Sequence, residues 1–408
     1  MIRWLGRFRI AGPGLVVTAA FIGPGTVTVA SQAGADYGYQ LLWVLALATA
    51  VTIFLQAMAT RIGLATRVPL GIAIKESLNS PLARWLVGAL VVFAIGFGNS
   101  AFQAGNLTGA RIGLEIMTGS QRPEWIWVLA AIASGTLFMS SYRRMEIVLI
   151  AMVATMSLGF LVTVILIRPE PMGMVRGLAP TFPQNSLVTI LALLGTTIVP
   201  YNLFLHAGLV QRRWSQERDV QTAINEARAD SVLSIGLGGL VSAAILVSAA
   251  VAFFGTGATL TSVNDMAVQL EPLLGRQTSR FFFGVGLFAA GLTSAITAPL
   301  AAAMAITGVL GWSDDPKAIR FRCIWIGVMT IGFVVAWFWS KSPKEIIVVA
   351  QAANGVLLPL VVGLLIFVCN RHQRLKRHRP SWWENAIAIG VFLIILGLNW
   401  NLLVKFFG

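Results

Sequence analysis

Apolar residues run along this chain in long blocks, each closed by a short cluster of charged or turn-forming residues. Crossing a bilayer takes a helix of roughly 17–25 such residues. Blocks of that length cover 12–35, 41–60, 84–111, 125–141, 146–167, 187–211, 231–255, 280–309, 322–340, 346–369 and 384–404. The pattern predicts an all-α polytopic membrane protein with about eleven spans. Between blocks, residues 213–230 mix charges with Val220, Ala223, Ile224 and Ala227 at helical spacing, which predicts a surface helix. Residues 264–275 predict a second short helix on the opposite side.

Two blocks are interrupted in the middle. The first carries Gly23-Pro24-Gly25-Thr26, and the sixth carries Val199-Pro200-Tyr201-Asn202. Proline removes a backbone donor and glycine frees the chain to unwind. In lipid, such a break is tolerated only where the freed groups face protein or a water-filled cavity. A broken helix at corresponding places in two halves points to a transporter's binding site. The breaks divide the chain into a first repeat of about 12–167 and a second of about 187–369, with an extra helix at about 384–404. All of it forms one transmembrane domain, 1–408, in a 5+5 inverted repeat.

Composition supports a membrane chain: 57% of the 408 residues are hydrophobic, 11% are charged, and mean hydropathy is +0.79. A soluble domain carries about a quarter charged residues. The net charge of +14 does not imply a nucleic-acid partner, because the basic residues occupy the short connections between blocks. With the N-terminus in the cytoplasm, one face collects about 21 of the 30 Lys and Arg residues, including the run Arg371 to Arg379. That bias marks the cytoplasmic side, touching anionic head groups, and eleven spans leave the C-terminus outside. Arg3, Arg7, Arg9 and Ala33-Gly34-Ala35 imitate a signal peptide. The apolar stretch is too long for one, which predicts a retained first helix. Cys323 and Cys369 form neither a disulfide framework nor a metal motif.

Enzyme signatures and nucleotide loops are absent from the sequence, so the reading is a carrier without cofactors, not an enzyme. The candidate binding groups are Thr26, Thr196, Tyr201 and Asn202, with carbonyls near Gly23 and Val199; Pro24, Gly25 and Pro200 make the breaks. No Asp or Glu lies between Met1 and Ala35 or between Pro171 and Gln216. A hard divalent ion, which normally recruits carboxylates, would find only neutral oxygens there. His206, Gln103 and Asn106 are candidates for a proton path, with interhelical hydrogen bonding as the alternative role. Gln32 and Asn354 are further uncharged polar residues within spans.

Four stretches resemble the NRAMP divalent-metal transporters: AFIGPGTVTVASQAGADYGYQLLWVLAL (20–47), QAMATRIGLATRVPLG (56–71), GTTIVPYNLFLHAGLVQ (195–211) and FGVGLFAAGLTSAITAPLAA (283–302). The resemblance implies a LeuT-type fold and secondary transport of metal ions, commonly manganese or iron, with protons. It also exposes departures. The family's first break reads Asp-Pro-Gly-Asn, where this chain has Gly23 and Thr26 in place of two metal ligands. Its second reads Met-Pro-His-Asn, where Val199 replaces the thioether and Tyr201 the histidine. Gln103 and Asn106 fall where the family carries acids, and Leu357 where it carries a tenth-helix glutamine. Pro24, Gly25, Pro200, Asn202 and His206 survive.

Two readings follow. One is a secondary-active carrier of metal cations such as Mg²⁺ or Mn²⁺, using Gly23, Thr26, Val199 and Asn202 as the metal positions. Its selectivity would be atypical and its proton coupling weak or absent. The other is a secondary transporter of a small organic solute such as an amino acid. The expected location is a bacterial inner membrane. The bilayer, the transported ion or solute and a proton co-substrate are the expected partners.

Overall fold

Helices account for almost all of the described structure because a backbone in lipid must satisfy its own hydrogen bonds. The computed structural model describes residues 22–139, 143–214, 219–340 and 342–407. The part of the first block before Ile22, with Arg3, Arg7 and Arg9, lies outside the described residues. In chain order the helices are α1 (Pro24–Tyr37), α2 (Leu42–Thr66), α3 (Leu70–Glu76), α4 (Pro81–Thr118) and α5 (Trp125–Phe138). They continue as α6 (Arg143–Ile167), α7 (Pro171–Arg176), α8 (Leu187–Thr197), α9 (Pro200–Arg213) and α10 (Val220–Phe253). The last are α11 (Glu271–Leu274), α12 (Arg276–Leu310), α13 (Ile319–Phe338), α14 (Pro343–Arg371) and α15 (Trp382–Phe407). Two 3₁₀ helices, Val263–Leu270 and Gln373–His378, lie in connections.

Among the described residues, nine helical stretches are long and apolar enough to cross a membrane, with α8 and α9 forming one of them. Helix α5, at 14 residues, and α1, described from Pro24 onward, lie in the other two expected blocks and are each shorter than a span. Ala33-Gly34-Ala35 lies inside α1, where Gly34 packs closely on the Leu246 carbonyl of α10. Large apolar side chains such as Phe93, Ile165, Leu237 and Phe338 face outward, as lipid-facing surfaces require.

Residues 220–230 are not a separate surface helix. They are the first three turns of α10, and Ala223, Ile224 and Ala227 bury themselves against Leu64 and Val210. The helical spacing is present, but it continues without a break into the membrane span. The expected helix at 264–275 is present as the 3₁₀ turn and α11.

Helix α12 packs along α4, α10 covers α1 and α2, and α8 lies along α14. At the end of the bundle where α2, α9 and α14 finish, charges hold the helices. Glu384 of α15 accepts a forked pair of hydrogen bonds from Arg61 of α2, at 2.6 and 3.3 Å, and another from Arg228 of α10 at 3.4 Å. Removing one member of a largely buried pair leaves the other uncompensated. Glu384→Gln, which keeps an acceptor, is expected to lower stability by about 1–3 kcal/mol. Thermal unfolding of the purified protein checks this, and an unchanged midpoint would show that the cluster does not fasten α15.

Candidate functional site

The two described half-helices beyond the breaks begin alike. Both α1 and α9 start on a proline at their first position, Pro24 and Pro200, preceded by an extended residue, Gly23 (φ −106°, ψ −175°) and Val199 (φ −78°, ψ 120°). Proline is suited to this position because its missing N–H has no helical partner there. Neither helix has a side-chain N-cap. Between α8 and α9 the backbone leaves helical geometry at Ile198 (φ −96°, ψ 72°) and Val199. The end of α8 therefore presents carbonyls to the break, and the start of α9 presents amides.

The breaks meet in space. Thr26 Oγ1 and Thr196 Oγ1 are 2.8 Å apart, joining positions 170 residues apart in sequence. Asn202 follows in the first turn of α9, buried, with neither its amide oxygen nor its amide nitrogen hydrogen-bonded. Gln351 of α14 is also buried with both amide atoms unpartnered, and it lies against Gly25 so closely that a Cβ at position 25 would overlap its side chain. Only glycine allows that approach. Thr28 Oγ1 and the Tyr201 hydroxyl are likewise buried without partners. Each such group costs about 1–3 kcal/mol in a dry interior, so their concentration at the breaks marks a place built to take a polar guest.

Gly23 faces Ser294 of α12, whose Oγ would lie 3.1 Å from an added Cβ. Val199 is buried at the N-cap of α9. Tyr201 turns toward α4, where its ring meets Phe102 edge-on at 5.5 Å between centroids. Among the described residues no group of three or more His, Cys, Asp or Glu could hold a metal ion. Any cation here would meet hydroxyl, amide and carbonyl oxygens.

The three proton-path candidates do not form one chain of contacts. His206 Nε2 lies 3.0 Å from Thr60 Oγ1 of α2 and 3.1 Å from Ser231 Oγ of α10. Gln103 donates to the Ala295 carbonyl of α12 at 3.1 Å and touches the Met329 sulfur of α13 at the same distance. Asn106 sits between Gly105, which packs on α14, and Gly109, which packs on Pro24, and its Nδ2 is unpartnered. Asn354 and Leu357 both face Gly98 of α4.

At one end of the bundle the 3₁₀ helix Val263–Leu270 inserts Gln269, whose amide nitrogen donates to Ser31 of α1 (2.8 Å) and whose oxygen accepts from Ser248 of α10 (3.0 Å). Asp265 anchors this turn. Burial pushes its carboxyl pKa up, but hydrogen bonds from Ser262 and Thr261 outweigh that and hold it below the usual range. A cavity of about 650 Å³ lies beyond, lined by Tyr37, Gln40, Glu170, Arg176, Thr181 and Phe254. Another of about 230 Å³, lined by Gly63, Arg67, Gln211, Trp214 and Ala223, opens at the opposite end of α10. Neither is lined by Thr26 or Asn202, both of which are buried among the described residues.

Gln351, Ser294 and Gln269 are absent from the candidates read from sequence. Gln351 had a usable signal, since it is an uncharged polar residue inside an apolar block and three positions before Asn354. For Ser294 and Gln269 only the packing reveals the role.

Comparison with known proteins bears on the fold and the family. The chain is 29% identical over 406 residues to a protein of Pseudomonas aeruginosa named divalent metal cation transporter MntH 1, covering 97% of this chain and 91% of that one. It is also 29% identical over 416 residues to the MntH of a Nostoc species, covering 99% and 93%. Among solved structures, the manganese transporter of Eremococcus coleocola superposes with a TM-score of 0.76 at 20% identity, covering 95% of this chain and 84% of that one. Mhp1, a nucleobase-cation-symport-1 family transporter, superposes at 0.56 with 16% identity, covering 92% and 81%. The LeuT-type fold expected from the sequence is the fold of this chain. Residues 14–405 match the model of the natural resistance-associated macrophage protein-like family, and the chain belongs to that family, Nramp.

Proposed function

We propose that this chain is a secondary-active transporter of divalent metal cations that binds its ion through neutral oxygens at the two helix breaks. The observation that carries the reading is the contact of Thr26 with Thr196 across the breaks, with Asn202 in the turn that follows one break and Gln351 against Gly25 at the other, all buried and with four amide atoms lacking partners. The relatives named as divalent metal cation transporters support the class of cargo. A site without carboxylates favours an ion that keeps part of its water shell, such as Mg²⁺, or one bound weakly, such as Mn²⁺. With Val199 in place of a thioether, nothing at the break selects softer metals. Proton coupling would be weak or absent, because Gln103 is tied to α12 and α13 and His206 is held between hydroxyls. The end rich in Lys and Arg would face the cytoplasm of a bacterial inner membrane, leaving the far end of α15 outside.

The test is uptake of Mn²⁺, Mg²⁺ and Ca²⁺ into proteoliposomes, with and without a pH gradient. Saturable flux of one ion is expected, reduced about tenfold or more in Asn202→Ala, which removes a ligand worth at least 1.4 kcal/mol by that measure. Flux unchanged by a pH gradient would agree with absent coupling. A second reading, transport of a small organic solute, draws on the uncapped amides that α1 and α9 aim at the breaks, which suit a carboxylate. Folded protein that moves none of the three ions but takes up an amino acid would replace the first reading with this one.

A further inference from the structure

The connection between α14 and α15 is a fixed, strongly basic ledge. Arg371, Lys376, Arg377 and Arg379 are exposed around the 3₁₀ helix Gln373–His378, whose Leu375 is fully buried. The ledge is fastened from both sides. Arg374 donates to the Thr66 carbonyl at the end of α2 (2.8 Å), and His372 meets Glu76 of α3 at 3.1 Å. Its cations are thus held by packed structure and not by a loose tail.

The carboxylates next to this ledge are already used. Glu384 is taken by Arg61, Arg228 and the Ser381 amide, and Glu76 by His372. Asp219 caps α10 through the amides of Gln221 and Thr222. Among the described residues Arg371, Lys376, Arg377 and Arg379 have no carboxylate partner. Immediately after them, Trp382 is 82% exposed and Trp383 50% exposed in the first turn of the membrane-spanning α15. Exposed tryptophans at the end of a spanning helix sit at the level of the lipid head groups. The four unpaired cations therefore lie in the layer where lipid phosphates are.

We propose that this ledge is a binding site for the head group of an anionic phospholipid, with the phosphate held by Arg371, Lys376, Arg377 and Arg379 and the acyl chains running beside Trp382 and Trp383. A bound lipid would join the end of α14 to the start of α15. Each Lys or Arg engaged near an anionic surface strengthens binding about fivefold, so even two engaged cations would give more than a tenfold preference over a zwitterionic lipid.

Native mass spectrometry of the full chain, released from micelles holding equal phosphatidylglycerol and phosphatidylcholine, tests this. The expected result is retention of phosphatidylglycerol over phosphatidylcholine by about tenfold or more. Arg371→Gln/Lys376→Gln/Arg377→Gln/Arg379→Gln is expected to lose that preference, whereas Lys317→Gln/Arg320→Gln, in another basic connection, keeps it. If the fourfold variant does not fold, Lys376→Gln and Arg377→Gln singly are each expected to lower the preference severalfold. Equal retention of both lipids, a preference that survives the ledge variants, or displacement of the lipid by millimolar inorganic phosphate would each overturn the proposal. No transport measurement enters, so the result stands apart from the nature of the cargo.

Discussion

Valine at position 195 is expected to abolish transport and to remove most of the folded protein. Gly195 lies one residue before Thr196, on the face of α8 that packs against α14. A Cβ there would overlap the Gln351 carbonyl oxygen and come 2.6 Å from the Gly355 amide nitrogen. Both obstacles are backbone, so no side-chain rotation can relieve the overlap. Ordinary overpacking costs about 1–3 kcal/mol when neighbours can adjust, and here the effect should reach or exceed the top of that range. The only relief is to part the two helices, which would also shift Thr196, the next residue, from its contact with Thr26. Gly236→Val on α10, where an added Cβ meets nothing within 4 Å, is the matched control and should leave stability nearly unchanged. Thermal unfolding and vesicle uptake measured on both variants check this. A normal midpoint and flux for Gly195→Val would mean that α8 and α14 do not pack as described.

The second large effect is a gain. Gly23→Asp, Thr26→Asn and Val199→Met together restore a carboxylate, an amide and a thioether to the breaks, the groups that divalent and softer metals favour. The structure adds a condition, because an aspartate at position 23 must pass Ser294 Oγ, 3.1 Å from its Cβ. The Ser294 hydroxyl must therefore shift by a few tenths of an ångström, and Ser294→Ala removes that requirement. Without metal, the fourfold variant should be less stable than the parent, since it buries a carboxylate among neutral groups. With Mn²⁺ it should recover, by about 2.7 kcal/mol at a hundred times the dissociation constant. Calorimetry and thermal unfolding with Mn²⁺ measure both halves. A folded variant whose midpoint ignores Mn²⁺ would falsify the placement of Gly23, Thr26 and Val199 at a metal position.

The spans were readable from sequence because lipid demands long apolar runs, and the breaks because Pro24, Gly25 and Pro200 are conspicuous inside them. Thr26 and Thr196 could each be named, but the 2.8 Å contact between them depends on how two distant helices cross. The start of α10 was misplaced for a physical reason. Ala223, Ile224 and Ala227 have the spacing of a surface helix, and nothing in that spacing says that the helix runs on into the membrane. Gln351 went unnoticed because its importance comes from facing Gly25, a relation between α14 and α1. Gln269 belongs to a short connection, where a polar residue is ordinarily solvated, yet here it is buried.

The clasp made by Gln269 has a consequence for how the two ends respond to their surroundings. A carboxamide carries no charge and takes up no proton under ordinary conditions. The closure between Ser31 and Ser248 therefore keeps its strength as acidity and ionic strength change outside it. The opposite end is fastened by Arg61, Arg228 and Glu384, whose attraction depends on charge. The amide clasp itself is thus indifferent to its bath. The Asp265 carboxylate that anchors the same turn and the Arg61, Arg228 and Glu384 cluster at the other end both weaken once acid protonates their carboxyl groups.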